Sequence, residues 1–208
     1  MYKVLFLLFS LLLVACSVPM GKGAMPPSDT YIIATRSLLK HGEAPNPSFR
    51  VNGFVIFATK ATNKRQLHRY FSTCEAYVNT LDPTDSHSPK NDLLPTYWPV
   101  TENLDHPNCI ELVRNYDYAR ASEIVAHLNA ELGIGIGPYL VASGEGELMV
   151  LDMSTFSDDD IHRAMMIWKK EICVDPQNWE PRLSLIKFRE VFRNMLQVYG
   201  DSILKYFG

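Results

Sequence analysis

The sequence contains no apolar run long enough to cross a membrane as a helix. The longest run, residues 4–15, is interrupted only by Ser10, and it is much shorter than the roughly 20 residues that a hydrocarbon core requires. The run follows the positive charge of Lys3 near the start of the chain. A positive start before a short apolar stretch is typical of a secretory signal peptide. We therefore predict a signal peptide over residues 1–15.

A cysteine directly follows this run, in the motif Leu13-Val14-Ala15-Cys16. The motif resembles the lipobox of bacterial lipoproteins. The resemblance implies cleavage before Cys16, acylation of that residue and anchoring to a membrane, since two or more acyl chains hold a protein stably. Ser17 comes next, which in that class favours the outer membrane, on its periplasmic side, over the inner membrane. The alternative is an ordinary signal peptide cut after Ala15, which leaves Cys16 as a plain thiol.

Basic residues are too few and too scattered for a nucleic-acid interface. Without Lys3 the chain has 19 lysines and arginines against 23 aspartates and glutamates, and no basic cluster is present. Three prolines and two glycines fall in residues 17–29, so we expect residues 16–29 to form a flexible lipid tether. Residues 30–208 suit a single globular periplasmic domain. We expect its partners to be the membrane, through the lipid, and another envelope protein.

Apolar runs in this domain predict strands. Continuous β-branched and aromatic residues indicate a buried strand over residues 54–58. A second strand is expected over residues 94–100, where Pro95 and Pro99 suit only an edge strand or the strand ends. Two apolar runs separated by a glycine-rich turn predict a β-hairpin over residues 139–153.

Apolar residues at three- to four-residue steps predict amphipathic helices. These helices span residues 64–81, 117–132, 157–173 and 181–206. The apolar stripe of the first helix comprises Leu67, Phe71, Cys74, Val78 and Leu81, widened by Tyr70 and Tyr77. Thr62 and Asn63 can cap that helix. Residues 31–39 fit either a strand or a helix. The alternation of strands and helices predicts an α/β or α+β fold.

The order strand, helix, strand, helix, hairpin, helix over residues 52–173 resembles a thioredoxin-like domain. Residues 133–153 look like that fold's loop, cis-proline and terminal hairpin, with Pro138 at the cis-proline position. The resemblance implies a three-layer arrangement, to which residues 181–206 add a C-terminal helix. It also makes Pro138 and Tyr139 candidates for a peptide-binding edge. The alternatives are a different α/β or α+β sandwich and a proline that simply starts a strand.

The thioredoxin-like family carries a CxxC motif between the first strand and the first helix, and this sequence has none. The corresponding stretch is Ala61-Thr62-Asn63-Lys64. No cysteine therefore lies at the helix N-terminus, where the helix dipole lowers a thiol pKa, and the family's redox mechanism cannot be transferred. Histidines and cysteines also lack zinc-ligand spacing, so we expect no metal and no cofactor. No GxSxG motif is present, and no catalytic residue is predicted.

Besides Cys16, the chain has Cys74, Cys109 and Cys173. A periplasmic location permits disulfides, and an odd number of cysteines allows at most one bridge among them. The thioredoxin-like resemblance implies Cys74–Cys173, because that fold would place both on one side of the sheet and Cys109 on the other. If the fold differs, Cys74–Cys109 is equally good. All three residues can also be free thiols.

These observations lead to two functional hypotheses. The first is a non-catalytic, lipid-anchored domain that binds or scaffolds another envelope component. It is based on the anchor, the tether and the missing catalytic motifs. The second is a thiol-dependent redox enzyme or chaperone of thioredoxin-like ancestry, which uses Cys109 or Cys173 instead of a CxxC motif. A thiol that titrates well below the usual cysteine pKa of about 8.5 would favour the second hypothesis.

Overall fold

A seven-stranded mixed sheet forms the centre of the domain. The computed structural model describes residues 33–49, 51–84, 93–130, 132, 136–144, 147–170 and 204–207. The predictions for the signal peptide, the tether, Cys173 and the C-terminal helix up to residue 203 lie outside these residues. The strands are β1 (Ile33–Lys40), β2 (Val51–Ile56), β3 (Asp82–Pro83), β4 (Leu93–Val100), β5 (Tyr139–Gly144), β6 (Glu147–Asp152) and β7 (Leu204–Phe207).

The order of strands in the sheet is β3-β1-β4-β2-β5-β6-β7. Neighbours among β1 to β4 run parallel, whereas the pairs β2–β5, β5–β6 and β6–β7 are antiparallel. The predicted hairpin is β5–β6, and the predicted buried strand near residues 54–58 is β2. Parallel and antiparallel pairs in one sheet, together with the helices, make this a mixed α/β structure that is consistent with the predicted α+β class.

The central strand β4 is buried over its whole length. β1 pairs with it along eight residues on one side. On the other side, β2 pairs with β4 only at Thr96 and Tyr97. β4 is therefore not an edge strand. Pro95 and Pro99 lie towards its two ends and outside the short ladder to β2, where a missing N–H group does not interrupt the pairing.

Helices cover both faces of the sheet. The described residues contain α1 (Lys64–Thr80), α2 (Cys109–Arg114), α3 (Tyr118–His127) and α4 (Asp158–Lys170). α1 contacts α2 and α4, and α4 also contacts β1. Gly53 of β2 faces the indole of Trp168 on α4, while the next residue, Phe54, shares a groove with Ile124 of α3. Because consecutive strand residues point to opposite faces, α3 lies on the opposite face from α1 and α4.

Tyrosines define the inner surface of α1. Tyr70 and Tyr77 are at most 1% exposed, whereas Leu67, which the apolar stripe places on the buried face, is 42% exposed. The hydroxyl of Tyr77 donates to the backbone oxygens of Ser37 in β1 at 2.8 Å and Thr96 in β4 at 2.9 Å. Burial raises the pKa of Tyr77 far above its ordinary value, so the hydroxyl keeps its proton. The helix is therefore rotated towards its tyrosines, and the hydroxyl of Tyr77 finds its partners in the sheet.

The hydroxyl of Tyr116 supports the end of β2. Beyond Phe54, β2 no longer pairs with β4. Tyr116 lies between α2 and α3, and its hydroxyl accepts the N–H of Phe57 at 3.0 Å and donates to the carbonyl of Val55 at 2.9 Å. Its ring also contacts the rings of Phe57 and Trp98, at centroid distances of 4.7 and 5.7 Å. Tyr116 thus replaces the missing strand partner on this side of β2.

Several element boundaries differ from the sequence-based predictions. The helix predicted over residues 117–132 is α3, which ends at His127, and it follows α2, which was not predicted. Residues 204–206 were predicted to end the C-terminal helix, but they belong to β7 and pair with β6. The aromatic residues Tyr206 and Phe207 favour an extended strand over a helix. Residues 31–39, for which a strand or a helix was open, contribute β1 from Ile33 onward.

Candidate functional site

A partly buried hydrogen-bond network occupies the N-terminus of α1, where the thioredoxin-like resemblance places a CxxC motif. Asn63 caps the helix as predicted, and its side chain accepts the N–H of Gln66 at 2.9 Å. The Gln66 side chain accepts the N–H of Thr62 at 2.8 Å and donates to the hydroxyl of Tyr70 at 3.1 Å. Tyr70 donates in turn to the carbonyl of Thr59 at 2.7 Å. The turn between β2 and α1 is therefore held by neutral side chains without any thiol.

The segment Ile136–Pro138 lies beside this network. The Gly137–Pro138 peptide bond is cis, and Gly137 has a φ of +82°. The N–H of Gly137 donates to the hydroxyl of Ser154 at 3.2 Å. A Cβ at position 137 would lie 2.9 Å from the ring of Tyr139. Both the positive φ and this close approach require a glycine at the turn.

A groove of about 380 Å³ opens between α1 and this segment. Its lining residues are Asn63, Arg65, Gln66, Arg69, Ile136, Gly137, Ser154 and Thr155. Ile136 is 42% exposed, whereas Pro138 and Tyr139 are buried. Tyr139 is also paired on both sides, with β2 and with β6. The two residues predicted as a binding edge thus lie behind the groove, and their exposed neighbour Ile136 contributes to its surface.

Two arginines give this groove a positive charge. Arg65 and Arg69 lie one turn apart on α1, and burial together with the charge of Arg65 lowers the pKa of Arg69, against the opposite influence of Asp158 and Asp152. Arginine side chains carry a positive charge in proteins. Arg65 lies in the first turn of α1, where a positive charge is unfavourable, and no acidic residue in that turn offsets it. These arginines are absent from the sequence-based predictions, although basic residues directly after a predicted helix cap were an available signal.

The disulfide joins Cys74 of α1 to Cys109 of α2, with a Cα–Cα distance of 5.7 Å. This is the second of the two pairings considered from the sequence, and it excludes Cys74–Cys173. The pairing with Cys173 assumed that Cys109 lies across the sheet, whereas α2 contacts α1. Because both sulfurs are bonded, neither Cys74 nor Cys109 is a free thiol. The thiol-dependent hypothesis therefore depends on Cys173, which lies outside the described residues.

His41 forms a pair with a buried carboxylate. Its Nδ1 lies 2.7 Å from Oδ2 of Asp117, whose side chain is 4% exposed. Asp117 also caps α3 by accepting the N–H of Arg120 at 2.9 Å. Burial acts to raise the pKa of Asp117, but the hydrogen bonds from Arg120 and His41 outweigh burial and lower it. In the part of the chain that the structure describes, no hydrogen bond joins His41 to a serine, threonine or cysteine side chain, so the pair lacks the nucleophile of a catalytic triad.

Within the described ranges, no group of three or more histidine, cysteine, aspartate or glutamate side chains is placed to hold a metal ion. No helix among these residues is long and apolar enough to cross a membrane.

Comparisons with protein families, with curated proteins and with solved structures give no match for this chain. The function is therefore inferred from the geometry and chemistry of the chain itself.

Proposed function

We propose that this protein is a lipid-anchored envelope protein whose domain binds an acidic, extended segment of another envelope component without catalysing a reaction. The proposed binding site is the groove between the N-terminal turn of α1 and residues 136–138. One observation carries the proposal: a neutral network around Asn63 and Gln66 stands where a thiol pair would be, directly beside an open groove that carries Arg65 and Arg69.

A thioredoxin-like ancestry is part of this proposal. It is supported by the order β2-α1-β4-α3-β5-β6-α4, which follows the strand, helix, strand, helix, hairpin, helix order of that fold. It is also supported by the proximity of Asn63, at the start of α1, to Gly137, since both residues line one groove. β3 and α2 are additions to the expected order. The proposed binding site therefore corresponds to the position at which that family carries its CxxC motif.

The groove offers three features to a ligand. Arg65 and Arg69 supply guanidinium groups, which bind carboxylates through paired, charge-assisted hydrogen bonds. The exposed side chain of Ile136 provides an apolar contact. Ser154 and Thr155 add hydroxyl groups to the lining. A peptide segment in which an acidic residue lies close to an apolar residue matches the first two features, and its backbone can form hydrogen bonds with the hydroxyl groups.

The proposed anchor is a lipid on Cys16, with residues 16–29 as the tether at the periplasmic side of the outer membrane. Its support is the Leu13–Cys16 motif directly after the apolar run. The intact mass of the membrane-extracted protein tests this part. We expect the mass of residues 16–208 with three acyl chains, because several chains are needed for stable anchoring. A mass with an unmodified Cys16 would contradict the proposed anchor. It would not bear on the proposed binding site in the groove.

Photo-crosslinking in the native membrane tests the binding site. A photoreactive amino acid is placed at Ile136 in the groove and, as a matched control, at Met166 on α4, since the two side chains are 42% and 38% exposed. We expect a discrete crosslinked species from position 136 only. Combined Arg65→Glu and Arg69→Glu substitutions are expected to abolish it, because a carboxylate would then meet two negative charges.

The charge reversal has its own control. Lys60→Glu and Arg114→Glu change the net charge by the same amount, but these residues line a different surface, next to Tyr118. This control should leave the crosslink in place. No crosslink from position 136, equal crosslinks from both positions, or equal loss with both charge reversals would each refute the proposed site.

A further inference from the structure

A second groove, of about 620 Å³, lies on the face of the sheet that carries α3. Asn52 and Phe54 of β2 and Ser143 of β5 belong to its floor, since Asn52 and Ser143 are paired in register and residues 52 and 54 point to the same face. Ile124 and Leu128 line it from α3. The volume lies within the range of roughly 300–1,000 Å³ that is typical of ligand pockets. The groove is separate from the cationic groove proposed above.

Two polar atoms of residues that line this groove are buried without a partner. Among the residues that the structure describes, Oδ1 of Asn52 and Nε of Arg120 make no hydrogen bond. Buried polar atoms are nearly always paired, because an unpaired one loses its bonds to water without replacement. One atom is an acceptor and the other is a donor. Together they complement the N–H and C=O of an amide group.

The environment of Arg120 favours a neutral ligand over an anion. Its Nη1 donates to Glu123 at 2.8 Å, and its Nη2 donates to the backbone carbonyl of Glu43. The side chain is 17% exposed, so these two contacts fix the guanidinium while Nε stays unused. A ligand carboxylate would have to displace Glu123 or lie beside it, and like charges repel each other. An uncharged amide faces no such competition.

We infer that this groove binds an uncharged peptide-like ligand with an apolar side chain. Its amide N–H donates to Oδ1 of Asn52, and an amide carbonyl accepts from Nε of Arg120. Its apolar side chain packs on Phe54 and against Ile124 and Leu128 of α3. The inference does not depend on the acidic ligand of the first groove, and the two sites take ligands of different charge.

Methyl NMR on the full chain, purified from membranes in detergent, tests the inference with three probes. The probes are N-acetyl-leucyl-leucine amide, the depsipeptide in which an ester oxygen replaces its central N–H, and N-acetyl-leucyl-leucine as the free acid. We expect the amide to shift the methyl signals of Ile124 and Leu128, and the ester to bind about tenfold more weakly, which is the loss of one well-formed hydrogen bond. No shift of these signals at millimolar amide, equal binding of amide and ester, or stronger binding of the free acid would overturn the inference.

Asn52→Leu separates a ligand-binding role from a structural one. The variant removes the unpaired acceptor, so we expect a higher urea midpoint without ligand and equal, weak binding of amide and ester. Thr80→Val is the matched control, since Oγ1 of Thr80 is also buried and unpartnered but does not line the groove. It should raise the midpoint and leave the preference for the amide unchanged. Retention of that preference in Asn52→Leu would refute the role of Asn52. If a variant fails to fold, the comparison of amide with ester on the wild-type protein still tests the inference.

Discussion

The Cys74–Cys109 disulfide offers a direct test of how the domain is stabilised. The perturbation is Cys109→Ser. Cys74 is fully buried, so its replacement would create a cavity or bury a hydroxyl, whereas Cys109 is only partly buried. Position 109 is the first residue of α2, after the Asn108 cap, and a serine is well tolerated at a helix start. The substitution therefore removes the crosslink with little change in packing.

The expected effect follows from the length of chain that the bond closes. The two cysteines are 35 residues apart. The chain-entropy relation for a loop of this length gives a stabilisation of about 4 kcal/mol at 25 °C, because the bond restricts the unfolded chain. Domains of this kind have a total free energy of unfolding of about 5–15 kcal/mol. Loss of the bond is thus expected to remove a large fraction of the stability.

Urea denaturation followed by tryptophan fluorescence measures this change. With an m-value of about 2 kcal/mol/M, the midpoint should fall by about 2 M. Wild-type protein under a strong reductant should fall to the same midpoint, and reductant should have no further effect on the variant. A loss below about 1 kcal/mol would refute the entropic argument. A further loss when the variant is reduced would show that another disulfide contributes.

Three other substitutions test separate features. Tyr116→Phe should lower the free energy of unfolding, measured by urea denaturation, by about 3 kcal/mol, because the N–H of Phe57 and the carbonyl of Val55 both lose a buried partner. A loss below about 0.5 kcal/mol would contradict this role of the hydroxyl. Gly53→Ala should lower the free energy of unfolding by about 2 kcal/mol and shift the indole N–H resonance of Trp168, since the new Cβ would lie 2.9 Å from both Trp168 and Oγ1 of Thr96. An unchanged resonance would argue against this contact. Asp117→Asn keeps an acceptor for the Arg120 N–H but removes the charge that faces His41. Because the folded state lowers the pKa of Asp117, its contribution is complete above about pH 4 and is lost as the pH falls through the lower folded value. The urea midpoint of the variant should therefore fall less steeply below pH 4 than that of the wild type, and parallel curves would refute this linkage.

Much of the fold was predictable because its elements have strong local signals. The hairpin β5–β6 follows from two apolar runs around a glycine turn, and the start of α1 follows from its Asn63 cap. The inward face of α4 also agrees with its apolar spacing, since Ile161, Met165 and Trp168 are all fully buried. In these segments the preference of the local sequence and the requirements of the core coincide, so the pattern alone determines the element.

Features that depend on distant residues were not predictable. The apolar spacing of α1 favours Leu67 as a buried residue, but the hydroxyl of Tyr77 reaches two strands that the sequence pattern does not relate to it. The position of α2 beside α1 decides the disulfide pairing, and no local signal contains that position. The existence of α2 itself had a signal, since Asn108 and Glu111 have the spacing of a capping box.

The candidate site was predictable in location but not in chemistry. The resemblance directs attention to residues 61–64 and Pro138, and these segments line or support one groove. The charge of the groove comes from Arg65 and Arg69, whose side chains share it only because α1 begins beside Ile136. The second groove was not predictable, because Asn52 and Arg120 lie far apart in the sequence and their unpaired atoms result from tertiary packing.

The hydroxyl of Tyr116 also determines which parts of the domain can open together. Local fluctuations expose backbone amides in cooperative units, and an amide exchanges with solvent only when its acceptor is released. The N–H of Phe57 has a side chain of the α2–α3 junction as its acceptor. Opening of this junction therefore releases the N–H of Phe57, directly after β2, whereas β2 itself stays paired with β5 through Ile56. Hydrogen exchange at Phe57 should consequently match exchange in the first turn of α3, although the two segments are about 60 residues apart in the chain.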